Sequence, residues 1–323
     1  MQRAISKLLV AAVTALLAAS AFAQDYPTKP VRMLTGFAAG GAADIVGRIV
    51  AQPLSDALKQ SFFVENRAGG SGVIATEAAA RAAPDGYTLL VGSMTTHALA
   101  PTLNKKLPYD VVRDFSPVIL LGNIPLVMSI NPGIPANSVK EFVALAKASP
   151  GKYAFASAGD GSPPHLTGEL FKYRMGVDLL HVPYKGTGPA VADLIAGQVA
   201  LTIDGAPVQV PHIKSGKLRA LAVAHDQRLA PIPDVPTFAE QGYSGMEVSL
   251  WYGIFAPANT PRPIIAKLNA ELVRAMALPD VRKRFADLAV EPAGGTPEQF
   301  GAFQQSEIKR WAQVIQQAGM KLE

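Results

Sequence analysis

The chain has 323 residues, 49% hydrophobic and 17% charged, with a formal net charge of +5 and no cysteine. That size supports a self-sufficient core, while the missing cysteines exclude disulfides, thiol catalysis and attachment through a lipidated cysteine. The charges are spread without blocks, and no basic patch interleaved with aromatics argues for nucleic acid; a mild positive field suits a small anion.

Residues 1–23 read as a signal peptide. Arg3 and Lys7 form a charged start, Leu8 to Ala19 an apolar run of 12 residues, and Ala21-Phe22-Ala23 a small-x-small cleavage site. The run is too short to span a bilayer. The mature chain then starts at Gln24 with 28 basic against 25 acidic residues, and a bacterial periplasm is its expected address.

The mature sequence alternates strand and helix, which predicts α/β lobes with parallel strands. Val31 to Thr35 is a strand and Ala42 to Leu58 a helix, with Ile45, Ile49, Val50, Leu54 and Leu58 at helical spacing. Phe62 to Val64 is a strand, Val73 to Ala82 a helix, and Tyr87 to Val91 a strand. Val118 to Ile130 contains Gly122, Asn123 and Pro125 and reads as two buried strands. Asn137 or Ser138 caps a helix from Val139 to Ala148. Strand 153–157, helix 163–175, strand 180–182, helix 188–196 and strands 199–203 and 218–223 follow. After a proline-rich connection and the strand Glu247 to Phe255, helices 263–277 and 297–318 end the chain with no strand expected between them. Packed back on the first lobe, those helices make the chain cross between lobes twice, with a hinge and a cleft at the carboxyl ends of the strands. The expected division is 24–124 plus 247–323 for lobe 1 and 125–246 for lobe 2.

Two places repeat one pattern of strand, small-residue turn and helix start. The first is Gly36-Phe37-Ala38-Ala39-Gly40-Gly41-Ala42-Ala43-Asp44; the second is Ser157-Ala158-Gly159-Asp160-Gly161-Ser162 before Pro163-Pro164. Such turns point backbone N–H groups and a positive dipole end at an anion. Gly40-Gly41 admits close approach to the main chain, though a plain tight turn fits the same residues. Phe37 reads as core or as a ring against a ligand. Asp44 complements the helix dipole or meets a ligand ammonium, and Asp160 is expected to face solvent. Ser157, Ser162 and His165 offer side-chain hydrogen bonds at the second turn. Asp204 follows the strand at 199–203 and reaches the cleft, where it accepts from a ligand hydroxyl or amine or merely terminates the strand; Ser93, Thr95 and Thr96 follow the strand at 87–91 and line the same cleft. Gly70-Ser71-Gly72-Val73-Ile74-Ala75 fits a dinucleotide pattern but lacks the acid expected about 20 residues on.

No G-x-S-x-G elbow or Walker loop is present, and His97, His165, His181, His212 and His225 show no metal-ligand spacing. No catalytic residue, cofactor or metal is expected.

The chain resembles the Bug family, the periplasmic solute receptors of the tripartite tricarboxylate transporter system. The resemblance covers the mature chain and is carried by Phe37-x-x-Gly40-Gly41-x-x-Asp44, Val64-Glu65-Asn66-Arg67-x-Gly69, Ala83-Pro84-Asp85-Gly86-Tyr87-Thr88-Leu89 and Leu107-Pro108-Tyr109-Asp110. His165-Leu166-Thr167-Gly168-Glu169-Leu170-Phe171, His181-Val182-Pro183-Tyr184-Lys185-Gly186, Gly216 to Val223 and Trp251-Tyr252-Gly253-Ile254-Phe255-Ala256-Pro257 continue it. It implies a two-lobed periplasmic-binding-protein fold of the type II kind, each lobe a sheet flanked by helices. The lobes close like a flytrap on a small carboxylate, which a membrane permease of the tripartite type receives.

It also implies that main-chain donors of both turns, with bridging water, hold one carboxylate; here these map onto Phe37 to Ala42 and Ser157 to Ser162. The expected ligand-binding set is Phe37, Ala38, Gly40, Gly41, Ala42, Asp44, Ser93, Thr95, Ser157, Ala158, Gly159, Ser162, His165 and Asp204. Related receptors take di- and tricarboxylates, acidic amino acids or aromatic acids. Ala42-Ala43 replaces the Gly, Ser or Thr of many relatives, which favours an apolar or aromatic carboxylate. A monomer is expected. An exported α/β enzyme on a carboxylate substrate, or a sensor of the same fold signalling to a membrane kinase, are the competing readings.

Overall fold

The computed structural model describes residues 26–317; the expected signal peptide lies outside them. Among the described residues ten strands form a connected network that divides into two sheets sharing one long strand. Strand β1 (Val31–Thr35) lies between β2 (Phe62–Asn66) and β3 (Thr88–Ser93), parallel to both. Helix α1 (Ala42–Leu58) joins β1 to β2, and α2 (Val73–Ala80) joins β2 to β3. After β3 the chain makes a π-helical turn, Thr95–Leu99, and the short α3 (Ala100–Leu103). It then enters β4 (Phe115–Ile130), a single strand of 16 residues rather than the expected pair.

The breakers within β4 bend the strand instead of ending it. Its first part, Phe115 to Pro125, pairs antiparallel with β9 (Ser249–Pro257), and the register shifts between Pro117 and Ile119 and between Leu120 and Gly122. Its last part, Leu126 to Ile130, pairs with β7 (Leu201–Gly205) and β8 (Arg219–Ala224). Proline removes a ladder donor and glycine admits close approach, so both serve a strand that must twist from one sheet into another. At Gly122 a Cβ would meet the Glu291 carbonyl oxygen at 2.5 Å.

The second half holds α4 (Val139–Ala148), β5 (Ala154–Ser157), α5 (Pro163–Met175), β6 (Leu180–Pro183), α6 (Thr187–Ile195) and α7 (Ala206–Lys214). Here β5 lies parallel between β6 and β7. Ser138 is the residue that caps α4: its hydroxyl accepts from Glu141 N–H at 3.2 Å, and the Glu141 carboxylate accepts from Asn137 N–H at 2.7 Å. The two lobes are therefore one sheet built on β1, β2, β3, β9 and the start of β4, and another on β5 to β8 and the end of β4, each flanked by helices.

The closing segment differs from expectation. Between α8 (Arg262–Ala277) and α10 (Pro297–Gln317) lie a further helix α9 (Pro279–Asp287) and a strand β10 (Glu291–Gly294). β10 pairs with β4 around Gly122. Its sequence, Glu-Pro-Ala-Gly, exposes most of its length and carries no alternating apolar pattern, so nothing local announces a strand. Helix α10 does pack on the first lobe. Glu307 accepts from the indole N–H groups of both Trp251 and Trp311, and buried Gln304 donates to the Val111 carbonyl at 2.8 Å.

The core runs through both lobes, with Phe142, Phe155, Phe171, Phe255 and Phe285 among its fully buried side chains. Among the described residues no helix is long and apolar enough to cross a membrane.

Candidate functional site

The two lobes touch, and their contacts enclose a small cavity. Ala38 N–H donates to the Lys185 carbonyl at 2.9 Å, and the Ser71 hydroxyl donates to the Asp160 carbonyl at 2.7 Å. At Gly188 a Cβ would come within 2.6 Å of the Ala39 carbonyl oxygen, so glycine is what permits this approach. Behind the contacts lies a narrow cavity between the lobes.

From the first lobe, the cavity is lined by Phe37, Gly41, Ala42 and Ala43 at the start of α1, and by Ser93, Met94 and Thr95 after β3. The second lobe contributes Ala158, Ser162, Pro163 and Pro164 at the β5–α5 turn, with Thr187 and Asp204. Leu250, Trp251 and Tyr252 close it from β9. No lysine, arginine or histidine is among these residues.

The first turn spends its early donors on itself and on the other lobe. Gly40, with φ +76°, bends the chain so that its N–H reaches the Asp44 carboxylate at 3.0 Å, and Gly41 N–H donates to the Ala38 carbonyl at 3.3 Å. Asp44, 4% exposed, also receives Arg48 at 2.9 Å. Burial opposes its charge, yet Arg48 and the Gly40 N–H hold its pKa below the usual carboxylate value. Ala42 and Ala43 come next. They are the first two residues of a 17-residue helix, where N–H groups have no partner in the preceding turn, and both line the cavity.

The second turn is stitched differently. The Ser157 hydroxyl accepts from Gly159 N–H at 3.1 Å, His165 Nδ1 accepts from Gly161 N–H at 3.0 Å, and the Ser162 hydroxyl donates to the Gly159 carbonyl at 2.6 Å. Helix α5 then opens on Pro163-Pro164, two residues without an N–H. Only Ala158 and Ser162 of the expected turn residues reach the cavity.

The expected site residues therefore divide. Phe37, Gly41, Ala42, Ser93, Thr95, Ala158, Ser162 and Asp204 converge on the cavity. Ala38 and Gly40 lie behind it, committed to Lys185 and Asp44. Asp44 works as the anchor of the turn. Ser157 and His165 face away, into a side cluster in which the His165 and His181 rings stack 3.9 Å apart and His181 Nε2 meets the Ser157 hydroxyl at 2.7 Å. Burial, and then His165, push the His181 pKa down to about 4. Gly159 borders an adjacent groove with Asp160, which is solvent-exposed as expected.

Beyond the expected set the cavity also takes in Ala43, Pro163 and Pro164 beside the turns, and Met94, Thr187, Leu250, Trp251 and Tyr252 from elsewhere. Three of them sit on β9, which runs antiparallel to β3 with Tyr252 opposite Ser93. Its amino end, not its carboxyl end, thus borders the cleft, and a rule framed for parallel strands overlooks it.

Asp204 is fully buried at the end of β7. One carboxylate oxygen accepts from Gly205 N–H at 2.6 Å. The other has no hydrogen-bond partner among the described residues. Burial raises its pKa to about 7, and the Gly205 N–H and the nearby Thr187 hydroxyl, which makes no hydrogen bond to the free oxygen, offset part of that rise.

Two lobes closing on a cation-free cavity at a helix amino terminus define a periplasmic-binding-protein type of solute receptor. Comparisons agree in fold and family. Residues 46–320 match the family described as tripartite tricarboxylate transporter family receptor. The protein BugT of Bordetella pertussis is 41% identical over 323 residues, spanning 100% of this chain and 99% of that protein. Among solved structures, the periplasmic binding protein BugD is 36% identical with a TM-score of 0.88, covering 92% of this chain and 100% of BugD. The R. palustris protein Rpa4515, solved with adipate, is 35% identical with a TM-score of 0.88, covering 92% of this chain and 99% of that one. The chain belongs to the Bug family of tripartite tricarboxylate transporter receptors, a family of solute-binding proteins.

Proposed function

We propose that this receptor works in the periplasm as a monomer, binds a small carboxylate in the interlobe cavity and delivers it to the membrane subunits of a tripartite-type permease. The observation that carries the reading is the cavity at the start of α1: small, closed between lobes and lined by donors without a cation. A carboxylate there receives the N–H groups of Ala42 and Ala43 and the positive end of the helix. The hydroxyls of Ser93 and Thr95 extend the donor set, and Ala158 meets the same group from the second lobe. Binding from both sides favours the closed form, which is the differential contact a flytrap needs.

The lobe limits follow the pairing of β4. The expected division, 24–124 with 247–323 for lobe 1 and 125–246 for lobe 2, puts the two crossings at the changeover in β4 and the approach to β9. Adipate in Rpa4515 supports a carboxylate as the ligand class. No group in the cavity is arranged as a nucleophile with a base, which favours the receptor over the exported enzyme.

A thermal-shift screen of carboxylates tests the reading. A ligand present at 100 times its Kd stabilises the fold by about 2.7 kcal/mol. Absence of a shift with every mono-, di-, tri- and aromatic carboxylate contradicts it, and turnover of a bound ligand replaces it with the enzyme.

A further inference from the structure

The carboxyl of Asp204 is the part of the cavity that an anion receptor does not need. It is fully buried, one of its oxygens is unpartnered, and it lines the same space as the start of α1. A buried polar atom without a partner costs stability, so its presence in a ligand cavity points to a partner supplied by the ligand. We propose that Asp204 is the specificity-determining residue of this receptor: its free oxygen accepts a hydrogen bond from the far end of a small carboxylate whose near end sits at α1. This rests on the receptor reading above and names the ligand class within it.

The surroundings decide what that far end can be. Facing Asp204 are Thr187 from α6, Tyr252 from β9 and Gln209 from α7, whose side-chain amide donates to the Asp204 carbonyl at 2.6 Å. Of these only Tyr252 titrates, and burial followed by the charge of Asp204 raises its pKa, so it stays neutral. The neighbour in β4, Val127, is apolar. No cation lines the cavity to offset a second anion. A hydroxyl or ammonium on the ligand gives the free oxygen its donor directly. A second carboxylate instead meets like charge at close range, and enters only when one proton from solvent is taken up and held between it and Asp204. The receptor thus takes hydroxy- and amino-monocarboxylates, and takes a dicarboxylate as a protonated pair.

Four carboxylates of equal chain length separate these cases: butyrate, 4-hydroxybutyrate, 4-aminobutyrate and succinate, titrated calorimetrically at about pH 6 and about pH 8. Wild-type protein should bind the hydroxy and amino acids at least about tenfold more tightly than butyrate. Succinate should lose roughly tenfold between the two pH values, with close to one proton taken up on binding at about pH 8 and little at about pH 6, because burial raises the Asp204 pKa to about 7. Asp204→Asn should lose the preference for 4-aminobutyrate over butyrate and flatten the pH dependence of succinate, with a thermal melt to verify its fold. The wild-type comparisons and the proton uptake need no variant. Equal binding of butyrate and the donor-bearing acids, or a ranking and pH dependence unchanged in Asp204→Asn, overturns the inference. Binding of benzoate with both donor-bearing acids and succinate silent also overturns it while leaving the receptor intact, whereas silence of every carboxylate removes both.

Discussion

The turn after β1 and the turn after β5 look alike as sequence, a run of small residues behind a buried strand and ahead of a helix, yet they present opposite surfaces to the cavity. The first opens α1 on Ala42-Ala43, whose N–H groups are unpaired by the geometry of a helix start. The second opens α5 on Pro163-Pro164, which have no N–H to offer, and ties up its glycine donors on Ser157 and His165. A glycine-rich turn at a helix start is thus a donor site only when the first helical residues are not proline. In the account proposed here the first turn grips the anion, and the second supplies a wall and one contact through Ala158.

The largest expected effect comes from making the first turn resemble the second. Ala42→Pro removes one donor at a helix position that tolerates proline, and Gly41 before it is already extended, with φ −79° and ψ 167°. Carboxylate affinity should fall by roughly 10- to 100-fold, while Pro164→Ala at the second turn should change it by less than about threefold. Isothermal titration of both variants with one ligand checks the contrast, and equal losses would dissolve it.

Gly41→Val comes next. Its Cβ would lie 3.2 Å from the Ala38 carbonyl oxygen and 3.8 Å from Thr187 N, between the lobes. Affinity should drop several-fold through hindered closure, with an unchanged melting temperature of the free protein; an unchanged Kd would return this glycine to a purely local role.

Asp44→Asn tests the anchor of the first turn. The folded-state pKa of Asp44 lies below its unfolded value. Its stabilisation is therefore present at neutral pH and is lost as pH falls through the unfolded and then the folded pKa. The variant should be destabilised by about 1–2 kcal/mol at neutral pH and indistinguishable from wild type in strong acid. A pH series of denaturant melts reads this, and a constant gap across pH would contradict the ionic role.

The smallest effect belongs to the second turn. His181 has its pKa lowered to about 4 from 6.5, so the unfolded chain takes up a proton first, and stability falls as pH drops from about 6.5 to about 4. Replacing His181 with Gln should blunt that loss by on the order of 1 kcal/mol, with ligand affinity at neutral pH unaffected.

Most of this architecture is legible in the residues, because buried strands and amphipathic helices carry their period with them. Ile45, Ile49, Val50 and Leu54 mark α1, and Ser138 with Glu141 marks the start of α4. What stayed hidden depends on distant partners. β4 reads as two strands because Gly122 and Pro125 look like breakers until β9, β7, β8 and β10 are seen to need a bend there. β10 has no pattern of its own. Around the cavity, residues at the carboxyl ends of parallel strands are legible in the sequence, Ser93 and Asp204 among them, while Trp251 and Tyr252 are not, because β9 runs the other way. The spent donors of Ala38 and Gly40 are equally invisible in sequence, since their acceptors, Lys185 and the bent-back Asp44, follow from closure and from the +76° φ of Gly40.

A crystal structure of the closed receptor with a bound small carboxylate tests the central claim most directly. Carboxylate oxygens should lie within about 3 Å of the Ala42 and Ala43 nitrogens, with the ligand body running along Pro163-Pro164 toward Asp204. A carboxylate held at the Ser157–Ser162 turn, with the start of α1 facing only water or the ligand's apolar end, would contradict it.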